Sequence, residues 1–145
     1  MEEQASVSDE GEEIVAYEEL IARASEVAVL FRSSDHCDAG LVGAAVLAAS
    51  GTVYTGCSVD LRCGIGFCAE HSAVADMLKN HEARVRAFVA VNDDGTVLPP
   101  CGRCRELIYQ IEPANLDADV VVDRNEIVKL RDLLPHPWQP KHWPG

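Results

Sequence analysis

Two short cysteine motifs, Cys68-Ala69-Glu70 and Pro100-Cys101-Gly102-Arg103-Cys104, limit what this chain can fold into. Each opens a stretch with helical spacing. The first runs from Cys68 to Asn80 through Ala69, Ala73, Val74, Met77 and Leu78, and the second from Cys101 to Ile111 after two prolines. Cys101 and Cys104 are three apart, so at a helix start both sulfurs face the same way. For the motifs to act together, the fold must bring two helix starts to one place. Unpaired N–H groups and the positive end of the helix dipole favour thiolate over thiol there. Three thiolates and an open fourth position form the catalytic version of a tetrahedral zinc site. A carboxylate that stays off the metal, here Glu70, can move protons to and from water. Three thiolates on a divalent ion leave the site anionic. The two helix ends, Arg62, Arg103 and Arg105 are candidates to offset that charge, and Arg105 is favoured. His71 points about 100° round the helix from Glu70 and is expected to pack rather than ligate.

Two plainer readings compete. Cys63 can close a four-cysteine structural zinc site, since its spacing to Cys68 lies near zinc-ribbon limits. That leaves Glu70 and a strand-rich core without a purpose. A redox pair of Cys101 and Cys104 leaves Cys68 and Glu70 unused. Cys37, Cys57 and Cys63 are otherwise read as small buried hydrophobes.

The chain has 145 residues, suiting one domain, and 48% are hydrophobic against 6% aromatic, so the core is expected to be mostly Ala, Val, Leu and Ile. No apolar run nears the ~20 residues of a membrane span. The acidic start Met1-Glu2-Glu3 is unlike a signal or transit peptide. A cytoplasmic protein is therefore expected, with cysteines that bind metal rather than form disulfides. The net charge is −12 with 12 basic residues. That speaks against a nucleic-acid partner, whose affinity rests on Lys and Arg at phosphates, and for a small neutral or cationic substrate.

Along the chain, residues 1–13 are expected to be a disordered acidic tail, residues 14–136 one domain and residues 137–145 a C-terminal tail carrying Trp138 and Trp143. Helical spacing spans Tyr17 to Arg32. Strands are expected from Leu41 to Ala49 and, after the Ser50-Gly51 turn, from Thr52 to Cys57. Ser58 to Phe67 reads as a loop. Further strands are expected at Arg84–Val91, Val120–Val122 and Glu126–Val128. A short helical turn at Leu130–Leu134 is stopped by Pro135. This order describes one mixed sheet with helices on its faces.

Cys-Ala-Glu followed by Pro-Cys-Gly-Arg-Cys-Arg resembles the small tetrameric cytidine deaminases and the related blasticidin S deaminases, and has the zinc deaminase pattern. Leu41-Val42-Gly43-Ala44-Ala45, Thr55-Gly56-Cys57-Ser58-Val59 and Leu133-Leu134-Pro135 extend the resemblance over about residues 17–136. It implies a three-layer α/β/α fold around a mixed five-stranded sheet. It implies Zn²⁺ as cofactor, Cys68, Cys101 and Cys104 as its ligands, Glu70 as proton shuttle, and the Ala69 backbone holding the base. The implied reaction removes the cytosine 4-amino group of a free nucleoside by hydrolysis and releases ammonia. The implied assembly is a homotetramer whose sites borrow residues from neighbours.

The chain also departs from the family. Ser58-Val59-Asp60 stands where cytidine deaminases have the Asn-Val-Glu that grips the ribose. Ser58 and Asp60 are thus the expected ribose contacts, with a shorter reach. Gly40 stands where an aromatic usually precedes the Val-Gly-Ala-Ala strand. A weakened ribose grip predicts poor turnover of plain cytidine relative to a modified nucleoside. The alternatives are a blasticidin S deaminase-type resistance enzyme and a non-catalytic zinc-stabilised binding module. A base-flipping nucleic-acid editor conflicts with the net charge.

Overall fold

The computed structural model describes residues 17–139. The acidic tail expected over residues 1–13, and residues 140–145 of the C-terminal tail, lie outside them.

Seven strands form a single sheet. They are β1 (Phe31–Ser34), β2 (Cys37–Ala48), β3 (Val53–Leu61), β4 (Val85–Asn92), β5 (Val97–Leu98), β6 (Asp119–Asp123) and β7 (Glu126–Lys129). The expected five are present as neighbours in the order β3-β2-β4-β6-β7. Only β4 and β6 run parallel, so the sheet is mixed. The two extra strands are short additions. β1 pairs with the start of β2, and β5 with the end of β4.

α1 (17–27) packs on one face of the sheet. Its Tyr17, Leu20, Ile21 and Ala24 join Ala45, Ala87, Val89 and Val121 in one buried cluster. α2 (Ala69–Lys79) and α3 (Gly102–Ile111) cover the other face, with Val74, Met77 and Ile108 packed among Val46, Phe88 and Val120. A short α4 (Leu130–Leu133) follows β7. The fold is therefore the expected three-layer α/β/α arrangement.

Two expected boundaries are corrected. The first helix stops at 27 rather than Arg32, and Phe31 begins β1. Its apolar spacing continues past the end because the following Val-Leu-Phe run suits a strand equally well. The expected loop from Ser58 is strand as far as Leu61, because Val59 and Asp60 still pair with Ala39 and Asp38.

Two features position the site. At Gly56 a side chain would meet the Ala73 nitrogen of α2 at 2.4 Å, so the helix lies directly on β3. In the β2–β3 ladder, Ala39 faces Val59 and Gly43 faces Cys57, so Gly40, Leu41 and Val42 together oppose Ser58. This irregularity turns on Gly40, whose φ of +85° favours glycine and whose Cβ would strike the Val29 carbonyl oxygen at 2.0 Å. Asn115, wholly buried, secures the opposite end of the sheet. It accepts from the Val85 N–H at 2.8 Å and donates to the Ala83 and Ile108 carbonyls, both at 2.9 Å.

Candidate active site

Cys68 and Cys101 are the N-caps of α2 and α3. Both are extended, with ψ of 157° and 167°, so each sulfur sits beside the unpaired N–H groups of its helix. Because α2 and α3 cover the same sheet face, their starts converge. The Cys68 and Cys101 sulfurs lie 3.3 Å apart, and those of Cys101 and Cys104 3.4 Å. All three fall within 4.8 Å of one another, the one such cluster of potential metal ligands among the described residues. Sulfurs on a tetrahedral zinc with Zn–S of about 2.3 Å stand roughly 3.8 Å apart. Opening the triangle by about half an ångström thus admits the ion, and the donor set fits it.

The surroundings are graded from buried to open. Cys104 and Ala69 are wholly buried and Glu70 is 3% exposed. Burial pushes the Glu70 carboxyl above its usual range, opposed by its own backbone N–H and the Cys104 thiol. Burial, together with the Glu70 charge and the neighbouring sulfurs, raises the Cys104 thiol. Burial also leads in raising Cys68. At Cys101 burial is outweighed by N–H donation from the α3 backbone, beginning with Cys104, and its thiol is lowered. The helix start favours a thiolate there.

Cys68, Ala69, Glu70 and the exposed Cys101 line the inner end of a cavity of about 470 Å³. Val42, Ala90, Leu98 and Phe67 form apolar walls, and Ser58 and Asp60 line its outer part. The structure thus brings Cys68, Cys101, Glu70, Ala69, Ser58 and Asp60 to a single cavity, with the buried Cys104 sulfur 3.4 Å from that of Cys101. Ser58 is buried at 5% exposure, and its hydroxyl oxygen already accepts the Val42 N–H at 3.0 Å. It supplies the acceptor that the irregular β2 backbone lacks, and only its hydroxyl hydrogen remains to be donated into the cavity. Asp60 is exposed.

Arg105 is placed differently from its neighbour Arg103. Its guanidinium donates to the Pro100 carbonyl at 2.8 Å and the Leu133 carbonyl at 3.2 Å, bracing the turn before Cys101. Arg62 donates to the Asp35 carbonyl at 3.1 and 3.0 Å. Arg103 lines the cavity. His71 has a buried Nε2 with no hydrogen-bond partner among the described residues. Burial, then the Arg103 charge, lowers its pKa. Cys63 is an exposed free thiol that lines the cavity but lies outside the ligand cluster, which argues against a four-cysteine closure. Cys37 and Cys57 are half-buried free thiols, less enclosed than the sequence suggested.

Residues 16–118 match the family described as the cytidine and deoxycytidylate deaminase zinc-binding region. The chain belongs to this family. Cytidine deaminase of Mycobacterium tuberculosis is 38% identical over 95 residues, covering 65% of this chain and 69% of the relative. Blasticidin-S deaminase of Bacillus cereus is 28% identical over 130 residues, covering 81% of this chain and 88% of the relative. The crystal structure of the M. tuberculosis enzyme superposes with a TM-score of 0.71 at 29% identity, over 86% of this chain and 98% of that one. Cytidine deaminase from Mycobacterium leprae gives 0.69 at 25% identity, over 83% and 98%. This chain is accordingly a zinc-binding hydrolytic deaminase. Among its described residues no helix is long and apolar enough to cross a membrane.

Proposed function

We propose that the chain removes the 4-amino group of cytosine from a free nucleoside, with Cys68, Cys101 and Cys104 holding the zinc and Glu70 moving the protons. The observation that carries this reading is a buried carboxyl of raised pKa beside three converging cysteine sulfurs at the closed end of one cavity. The ion supplies a Lewis acid that makes water acidic near neutral pH. Glu70 accepts one proton from the attacking water and passes it to the ring nitrogen, then takes the second from the new carbon-4 hydroxyl and passes it to the departing amine. Water adds at carbon 4, the C–N bond breaks, and ammonia and a uracil product leave. A carboxyl raised toward neutrality suits a group that must both take and give a proton. Ala69, the first residue of α2, presents a backbone N–H without an intrahelical partner to hold the base. Ser58 and Asp60 meet the sugar.

Arg103 is the one lysine or arginine lining the cavity among the described residues, and it sits between two of the zinc cysteines. A single cation among the lining residues favours nucleoside over nucleotide. A blasticidin-type substrate is the second reading. The short Ser58 and Asp60 side chains leave room at the outer end, and Asp60 suits a cationic extension. We further propose a homotetramer, as the family resemblance implies, with the exposed Val29, Phe31 and Ile65 offering apolar surface for its contacts. Sedimentation as a monomer or dimer would refute that assembly.

The test is ultraviolet-monitored deamination of cytidine, deoxycytidine and blasticidin S by zinc-loaded protein, with Glu70→Gln as the blank. Turnover of cytidine supports the first reading, and turnover of blasticidin S alone the second. Inert protein carrying one zinc per chain would sink both.

A further inference from the structure

We propose that Phe67 is the aromatic wall against which the pyrimidine ring of the substrate packs; this rests on the cytosine-nucleoside reading above. Seven aromatic residues fall within the described chain. Tyr17, Tyr54, Phe88 and Tyr109 are buried in the two cores. Phe31 and Trp138 are exposed but do not line the cavity. Phe67 alone among them lines it, and it is 40% exposed. An exposed aromatic facing a cavity offers a flat, polarisable surface that the aliphatic walls at Val42, Ala90 and Leu98 lack.

Its placement suits the reaction. Phe67 directly precedes Cys68, and both line the cavity. Its backbone is fixed on both sides. The Phe67 N–H donates to the Val59 carbonyl and the Val59 N–H to the Phe67 carbonyl, each at 3.0 Å. The backbone that carries the ring is therefore set before substrate arrives. β2 cannot supply one from Gly40, where a Cβ would collide with the Val29 carbonyl oxygen at 2.0 Å.

Removing an aromatic that stacks on a base weakens binding by about tenfold or more. The experiment compares Phe67→Ala, Phe67→Leu and Phe67→Tyr in the zinc-loaded full chain. It measures KM and kcat for whichever cytosine nucleoside the wild type turns over, along with zinc per chain. The same nucleoside is titrated calorimetrically into each variant on a Glu70→Gln background. Phe67→Ala and Phe67→Leu should raise KM and Kd by about tenfold or more, with kcat changing less and zinc unchanged. Phe67→Tyr should stay within about threefold of wild type. If Phe67→Ala loses zinc or fails to fold, the Leu and Tyr variants decide. Wild-type affinity in Phe67→Leu overturns the inference, since bulk rather than a ring would then suffice. Wild-type protein inert toward every cytosine nucleoside sinks the functional reading, whereas an active wild type with unmoved variants sinks the inference alone.

Discussion

The inner and outer ends of the cavity are built from different parts of the fold. The inner end is helix starts pressed against the sheet: Cys68 and Cys101 cap α2 and α3, and Ala69, Glu70 and Cys104 are buried. The outer end is a strand terminus and loop, where Asp60, Cys63 and Gly64 are exposed. Core packing holds one end rigid, while the other can vary at little cost. On the proposed function, chemistry lies at the first and recognition at the second, so the two can change independently.

Substitutions at the two ends should therefore differ in kind. The largest effect is expected from Glu70→Gln, which should lower kcat by about 10³-fold or more while metal analysis still finds one zinc per chain. A fall of less than tenfold would break the comparison at its inner end. Cys104→Ser comes next. Removing a buried ligand should weaken zinc by more than the roughly 10–100-fold typical of changes beyond the ligands, read by competition with a chelator. Ser58→Ala tests the boundary between the ends. It leaves the Val42 N–H without its acceptor, so thermal melting should show a loss of about 1–2 kcal/mol. An unchanged melt would mean that Ser58 belongs wholly to recognition.

A pH series sharpens the contrast in metal-stripped protein. The Glu70 carboxyl is raised by burial. A raised folded-state pKa contributes stability fully present below the unfolded value and lost as pH rises through the folded one. Glu70→Gln should therefore melt a few degrees above stripped wild type near neutral pH, roughly 2–5 °C. The two should converge below about pH 4. Parallel curves would show that the carboxyl is not penalised by burial. The smallest effect is expected from Asp60→Asn, a change in KM of about two- to fivefold with no measurable shift in melting, in line with an exposed site.

The inner end was largely legible in the sequence because it depends on local rules. Helical spacing begins at Cys68 and Cys101 and on this fold leads to α2 and α3, which start one residue later. The outer end depends on pairing between distant residues. Nothing near Ser58 reveals that Gly40, Leu41 and Val42 oppose it, or that its oxygen is already committed to Val42. The end of α1 was hidden for a similar reason. Val27, Ala28 and Phe31 keep helical spacing, and the change to β1 reflects pairing of Phe31 with Ala39. Arg105 and Arg103 are equally basic and two residues apart. Only their positions separate the brace on Pro100 and Leu133 from the side chain at the cavity. Phe67 carries a signal in the sequence itself, as an aromatic beside the Cys68-Ala69-Glu70 motif in a chain poor in aromatics.

The reciprocal bonds between Val59 and Phe67 clasp the intervening residues 60–66 at their base. Within that segment Asp60 and Leu61 still pair with β2, Arg62 donates to the Asp35 carbonyl, and a Cβ on Gly66 would meet the Val59 carbonyl oxygen at 2.3 Å. Residues 63–65 are the part left open to variation, and a change there leaves the clasp, and the helix start just beyond it, in place.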